Sequence, residues 1–307
     1  MSAYTRREFT KLALSGVAAL SAANRLRAAD APGRPNSKVA GVQIGLNVPY
    51  SFSNPLMSGD DIIKNCIALG VSGLELRTQP VEAFLGRPEF DATKTKPENA
   101  QGLAAWRKTV SLDRVKDFRA KFESAGVLIE IVKVDGICTM SEGEIDYAFA
   151  LAKALGGRAI STEISHKPEE LKRVGSFADK HQFFVGYHGH ASTKPEHWEA
   201  AFALAKFNGA NVDLGHFVAG NNTSPVPFIT HYHERVTHVH VKDRKFKNGP
   251  AVPYGEGDTP NAEVLKLIRD NKWNIQATIE FEYKVPAGSD RMTELARAIK
   301  YCREALA

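Results

Sequence analysis

Cysteine is scarce in this chain and never paired in sequence: Cys66, Cys138 and Cys302 stand far apart, with no CxxC spacing. That excludes a structural zinc knot and leaves no disulfide scaffold, so the simplest reading is three small, buried apolar side chains. Long apolar runs are also missing. The stretch 12–23 is short for a membrane span, and no stable membrane anchor is expected. Basic runs interleaved with aromatics are absent and the formal charge is only +5 over 307 residues, which argues against a nucleic-acid partner. No GxGxxG follows the first strand-like segment, which counts against a dinucleotide-binding fold.

What is present begins at the N-terminus. Arg6 and Arg7, then Phe9 and Lys11, an apolar stretch, and Ala28, Ala29 and Ala31 together resemble a twin-arginine export signal. An amphipathic N-terminal helix is the plainer alternative. The expected organisation is a signal at 1–31, a polar linker at 32–38 and one catalytic domain at 39–307, with a periplasmic or extracellular mature protein. Removing 1–31 takes Arg6, Arg7, Lys11, Arg25 and Arg27 against Glu8 and Asp30, so the mature charge falls from +5 to near +2. A small-molecule partner suits that balance, and nothing in the sequence excludes a homo-oligomer.

From there to the C-terminus, strand-like and helix-like patterns alternate. Eight segments read as strands: 39–47, 72–77, 127–135, 158–164, 183–190, 210–216, 236–243 and 277–283. Between them lie helices with legible ends. Ser58 precedes a run closed by Gly70, Ser141 with Glu144 forms a capping box before a run closed by Gly156, and Gly126 closes a helix from near Ser111. Thr193 with Pro195 and Glu196 opens a helix that Gly209 is expected to end; Thr259–Pro260 opens another, and the last runs from about Ser289 to Ala305. Eight such units predict an α/β protein, a single-domain (β/α)8 TIM barrel, with a doubly wound open sheet as the competitor. The polar segment 78–110 reads as a long loop over the barrel mouth.

The strand ends carry the chemistry. His188 and His190 close FFVGYHGH, Asp213 and His216 close ANVDLGH, His238, His240, Lys242 and Asp243 lie in VTHVHVKD, and Glu280 and Glu282 lie in ATIEFEY. Barrel strands alternate inward and outward, so His238, His240 and Lys242 share one face, as do Glu280 with Glu282 and Gly186 with His188 and His190. Several polar inward groups at one rim are costly to bury unless something neutralises them. A single divalent ion would do so, and mixed carboxylates and imidazoles without thiolates suit Mn, Mg, Co or Zn.

Taken in order, Glu163 in ISTEI, YHGH at 187–190, DLGHFVAG at 213–220, HVHVKD at 238–243, GEG at 255–257 and IEFE at 279–282 resemble the xylose isomerase-like barrel superfamily. The nearest branch is that of the sugar phosphate isomerase/epimerase proteins, with ketose 3-epimerases and inosose dehydratase as cousins. The resemblance implies one divalent metal held by a Glu, an Asp, a His and a second Glu, here Glu163, Asp213, His240 and Glu280. In ketose epimerases the first ligand comes from the strand just before the Asp, where this chain has His188. Glu163 is preferred on ligand type, and His188 is a ligand or the adjacent base. The implied catalytic groups are Glu163, Glu280 and His188. His190, His216, Lys133, Glu75 and Lys242 are candidates for binding substrate, and Asp243 is a further polar candidate. For Glu75 an ion pair with Arg77 or Arg244 is the alternative, and Lys242 could simply pair with Asp243.

The implied activity is isomerisation or epimerisation of a carbohydrate through an enediolate, by proton abstraction beside a metal-polarised carbonyl. A lyase or hydrolase acting on 3-keto-glycosides through the same metal site is the alternative. An endonuclease IV-like repair role fits neither the charge nor the leader, and a metal-free sugar-binding module is the remaining class.

Overall fold

The computed structural model describes residues 33–307; the export-signal reading of 1–31 lies outside them. Eight parallel strands follow one another in register and close on themselves. They are β2 (Val42–Val48), β3 (Gly73–Arg77), β4 (Leu128–Lys133), β5 (Ala159–Glu163), β6 (Phe184–His188), β7 (Asn208–Asp213), β8 (Val236–Val241) and β9 (Gln276–Ile279), with β9 pairing back onto β2. This is a (β/α)8 TIM barrel in one domain.

A short strand β1 (Lys38–Val39) precedes the barrel and pairs antiparallel with β2. The expected strand at 39–47 is therefore interrupted at its start: Ala40 and Gly41 both take positive φ, as a two-residue hairpin requires. The adjoining segment is not a free linker to its end. Ser37 is buried, donates from Oγ to Ile44 O at 2.7 Å, and receives the Ser72 N–H at 2.9 Å.

Strand parity explains the layering. Ile44, Leu46 and Val48, Leu74 and Leu76, Val185 and Tyr187, and Val239 and Val241 are buried and alternate with Asn47, Glu75, His188 and His240. The apolar set packs beneath the helices, each fully buried side chain contributing about 1.5–3 kcal/mol. The polar set fills the cylinder.

The helices largely start and stop where the sequence punctuates them. Ser58 caps α1 (Gly59–Leu69) by accepting from Asp61 N at 3.1 Å, and Gly70 ends it in the left-handed region at φ 67°. Ser141 and Glu144 form the capping box of a later helix, Glu142–Ala154.

Two expectations are corrected. The helix at Pro195–Leu204 ends well before Gly209, which lies inside β7. The segment 78–110 is mostly helical, with α2 (Gln79–Phe84) and α3 (Lys96–Arg107). Thr95 and Glu98 form a capping box at the start of α3, and Arg107 ties the insertion down by donating to Glu82 Oε1 at 2.8 Å and reaching Glu144 Oε1 at 3.4 Å.

All three cysteines are buried and free. Burial pushes the thiols of Cys66 and Cys302 up to about 12 and that of Cys138 up to about 11, which makes them poor nucleophiles. Among the described residues no helix is long and apolar enough to cross a membrane.

Candidate metal centre and active site

Strands β6 to β9 each deliver one group to a common point at their carboxyl ends. His188, Asp213, His240 and Glu280 are all buried, and one ligating atom from each lies within 4.8 Å of the others. Asp213 is the last residue of β7, where its Oδ1 also caps the next helix by accepting the His216 N–H at 2.7 Å. Its Oδ2 is buried without a hydrogen-bond partner, although the Lys242 ammonium stands 2.9 Å away. Glu280 accepts from Asn47 Nδ2 at 2.8 Å on Oε1 and from Lys242 Nζ at 2.8 Å on Oε2.

The ring of His240 is held from below. Glu75, fully buried on β3, accepts from His240 Nε2 at 2.5 Å, and this fixes the tautomer. His240 Nδ1 faces the cluster, 3.1 Å from Glu280 Oε2 and 3.7 Å from Asp213 Oδ2, and donates to Glu280 the proton that a cation would displace. A carboxylate behind an imidazole is the arrangement that orients metal-binding histidines. His238 supports Glu75 in turn, with Nε2 3.7 Å from Oε1 and Nδ1 2.8 Å from Thr237 Oγ1.

The carboxamide of Asn211 lies between two of the rings, 3.2 Å from His188 Nδ1 and 3.0 Å from His240 Nε2. Its Nδ2 is the atom that faces both rings, and it also donates to Ser161 Oγ at 3.2 Å.

Electrostatics point the same way. Glu163, Asp213, Glu280 and Glu282 bring four carboxylates to the mouth, with Glu75 buried beneath them, against the ammonium groups of Lys133 and Lys242. Burial raises the Asp213 carboxyl, but the Lys242 ammonium and the His216 imidazole outweigh it and hold Asp213 far below the usual carboxylate range. Glu280 is depressed in the same way by Lys242 and His240, against its own burial. Desolvation keeps His188 well below the usual imidazole value and pulls His238 down to about 4. Burial also lowers His240, but Glu75 and Glu280 overcome this and lift it well above the usual value. The donor set of two imidazoles and two buried carboxylates fits one divalent cation.

Each residue expected from the sequence has a definite place. Asp213, His240 and Glu280 meet, and His188 joins them. Glu163 stands outside this group. It pairs across the ladder with His188, but its carboxylate is taken by Lys133 Nζ at 2.5 Å and His190 Nε2 at 2.6 Å. The preference for Glu163 on ligand type is therefore corrected by geometry. Glu75 makes no ion pair with Arg77, which binds Asp135 at 2.7 Å, and it lies too deep to line the mouth. Lys242 contacts Asp213, Glu280 and Glu282, the last at 2.7 Å, rather than Asp243. Asp243 instead binds the 253–258 loop, accepting from Gly255 N at 2.8 Å and Gly257 N at 3.0 Å.

His190 and His216 both reach the mouth, with ring centroids 4.9 Å apart. Arg244 donates to His216 Nδ1 at 2.6 Å, and because a guanidinium only donates, His216 must carry its proton on Nε2. That atom is buried with no hydrogen-bond partner, a donor available to a bound oxygen.

Asn47, Asn211 and Arg244 were not singled out as site residues from the sequence, and Glu282 was marked only as a strand-end carboxylate on the face of Glu280. Asn211 and Glu282 were accessible by parity alone, two positions from Asp213 and Glu280; Asn47 and Arg244 depend on contacts across the barrel.

Neither a protein-family model nor a curated protein sequence matches this chain. Solved structures do. The D-psicose 3-epimerase of Clostridium cellulolyticum H10, crystallised with D-tagatose, superposes with a TM-score of 0.61 at 12% identity, over 86% of this chain and 99% of that one. The 3-keto-D-glucoside 4-epimerase of E. coli gives 0.59 at 11% identity over 86% and 99%. The probable 3-DHS dehydratase of Bacillus anthracis gives 0.60 at 15% identity over 84% and 98%. At these identities the likeness establishes a shared fold.

Proposed function

We propose that this protein is a divalent-metal-dependent isomerase or epimerase of a small carbohydrate, in the xylose isomerase-like superfamily, working through an enediolate. The observation that carries the reading is the convergence of His188, Asp213, His240 and Glu280 at one point, with Glu75 fixing the ring of His240. When bound there, a divalent ion supplies an electrophile that polarises a carbonyl and stabilises negative charge on its oxygen. Glu280, held ionised by Lys242 and steadied by Asn47, is placed to take the proton from the adjoining carbon. His216 Nε2–H donates to a substrate oxygen. The Glu163–His190 pair, at the exposed side of the mouth, stores and returns a proton. Three structural neighbours are named for epimerase or dehydratase reactions, which supports a carbonyl-activating enzyme on a carbohydrate-like substrate.

One feature favours a second reading. Epimerisation between two carboxylates is symmetric, whereas here Glu280 faces an imidazole, His188, with the His190–Glu163 pair above it. An unlike acid and base suit elimination from a 3-keto-glycoside, with His190 protonating the departing oxygen. On the leader reading, the mature protein works in the periplasm or outside the cell, where free sugars and glycosides outnumber sugar phosphates as substrates.

Incubation of metal-loaded enzyme with ketoses, aldoses and 3-keto-glycosides in deuterated water tests the reaction. Deuterium at the carbon beside the carbonyl is expected, and the product separates isomerisation from elimination. No incorporation into any of these classes would contradict the proposal.

A further inference from the structure

The mouth is larger than the cluster needs. A first chamber of about 600 Å³ is lined by Pro49, Tyr50, Asn54, Arg77, Glu282 and Arg291 among others. Glu282 joins it to the cluster: its Oε2 lies 2.7 Å from Lys242 Nζ, and its Oε1 accepts from Tyr50 Oη at 2.9 Å. The walls are aromatic faces backed by guanidinium groups, Arg77 4.8 Å over Tyr50 and Arg291 4.6 Å over Phe281. Flat rings bind well to such surfaces.

A second hollow of about 770 Å³ adjoins the first, with Pro55 and Gln79 in the wall of both. Its character is different. Leu56, Met57, Phe84 and Phe90 line it, with Leu56 91% and Phe90 67% exposed, so apolar surface stands in water next to the first chamber. Contiguous exposed apolar surface in a concave site marks a place where something docks. The chemistry at the cluster, proton transfer beside a polar carbonyl, has no use for it.

Building on the proposed sugar chemistry, we infer that the substrate is a glycoside, with its sugar ring at the metal cluster and an aromatic or apolar aglycone seated along Tyr50 and into the hollow of Leu56 and Phe90. Glu282, which lines the first chamber and contacts Lys242 of the cluster, and the Pro55–Gln79 wall shared with the second hollow point to an occupant that is the remote part of the same molecule that reacts at the cluster. Binding energy gathered there would hold the sugar ring in place for proton transfer.

The test is isothermal titration of the metal-loaded full chain with phenyl β-D-glucoside and with methyl β-D-glucoside. The phenyl probe is expected to bind roughly tenfold more tightly. The Leu56→Ala/Phe90→Ala variant should lose most of that preference; both side chains are exposed, so the fold is expected to survive, which circular dichroism would confirm. Equal affinities, no binding of the phenyl probe, or a preference unchanged in the double variant would each overturn the inference. Deuterium exchange, measured separately, keeps the two proposals apart. Exchange without an aryl preference removes the subsite and leaves the reaction, while an aryl preference without exchange does the reverse.

Discussion

At the scale of single residues, the site is a set of tautomers and charges fixed by neighbours. His240 can present Nδ1 to a cation only because Glu75 takes the proton on Nε2. Glu75→Gln should therefore keep the fold, being nearly isosteric, while weakening divalent-metal affinity roughly 10- to 100-fold. Competition with a fluorescent chelator would measure this, and an unchanged affinity would refute the role. His190 reports on Glu163 in the same way. The hydrogen bond that His190 donates to Glu163 raises its imidazole above the ordinary 6.5, against partial desolvation. Glu163 is itself depressed: burial would raise it, but His190 and Lys133 prevail. The pair's contribution is thus complete between the ordinary carboxylate value of 4.5 and the ordinary imidazole value of 6.5, lost as pH rises on through the raised His190 value and lost again as acid protonates Glu163. NMR titration should place the His190 midpoint above 6.5 in the wild type and lower in Glu163→Gln; equal midpoints would rule out the coupling. The sequence showed Asp213, His240 and Glu280 because they end apolar runs at inward positions. It did not decide between His188 and Glu163, because both end neighbouring strands at the same level. Only the capture of Glu163 by Lys133 separates them, and Lys133 comes from a strand 30 positions earlier.

At the scale of elements, the eight barrel strands were legible because each is a short apolar run ending in polar groups, bounded by turn residues. The hairpin at Ala40–Gly41 was hidden inside an apolar run that reads as one strand. The insertion was harder. α3 has no fully buried residue, carries Gly102 and begins beside Pro97, so it lacks an apolar stripe and reads as a loop. Its one local signal was the capping pair Thr95 and Glu98, three apart. What holds it is long-range, the Arg107 bridge to Glu82 and Glu144. Removing Arg107 leaves the Glu82 carboxylate, 1% exposed, with only Arg87 at 3.5 Å. Arg107→Ala is therefore expected to destabilise the protein by about 3 kcal/mol. Hydrogen exchange should rise in α2 and α3 ahead of the barrel strands. Chemical denaturation would measure the loss, and one below 1 kcal/mol would contradict the assigned bridge.

At the scale of the whole molecule, the barrel's eight-strand closure brings ionisable groups from β4 to β9 to one rim. A divalent ion that binds only the folded state should stabilise it by about 2.7 kcal/mol at a hundredfold excess over its dissociation constant. For a domain of this size that corresponds to a rise of roughly 5 °C in Tm, reversed by chelator. Calorimetry with and without chelator checks this, and identical Tm values would count against the site. The leader reading makes its own prediction: Arg6→Lys/Arg7→Lys should leave the protein in the cytoplasm, and fractionation showing undiminished export would refute it. The most direct test of the central claim is metal content by mass spectrometry, on protein purified from its native compartment. The account predicts about one divalent ion per chain, lost in Asp213→Ala and His188→Ala but retained in Glu163→Ala. Wild-type protein without a stoichiometric ion, or an Asp213→Ala variant that keeps one, would contradict it.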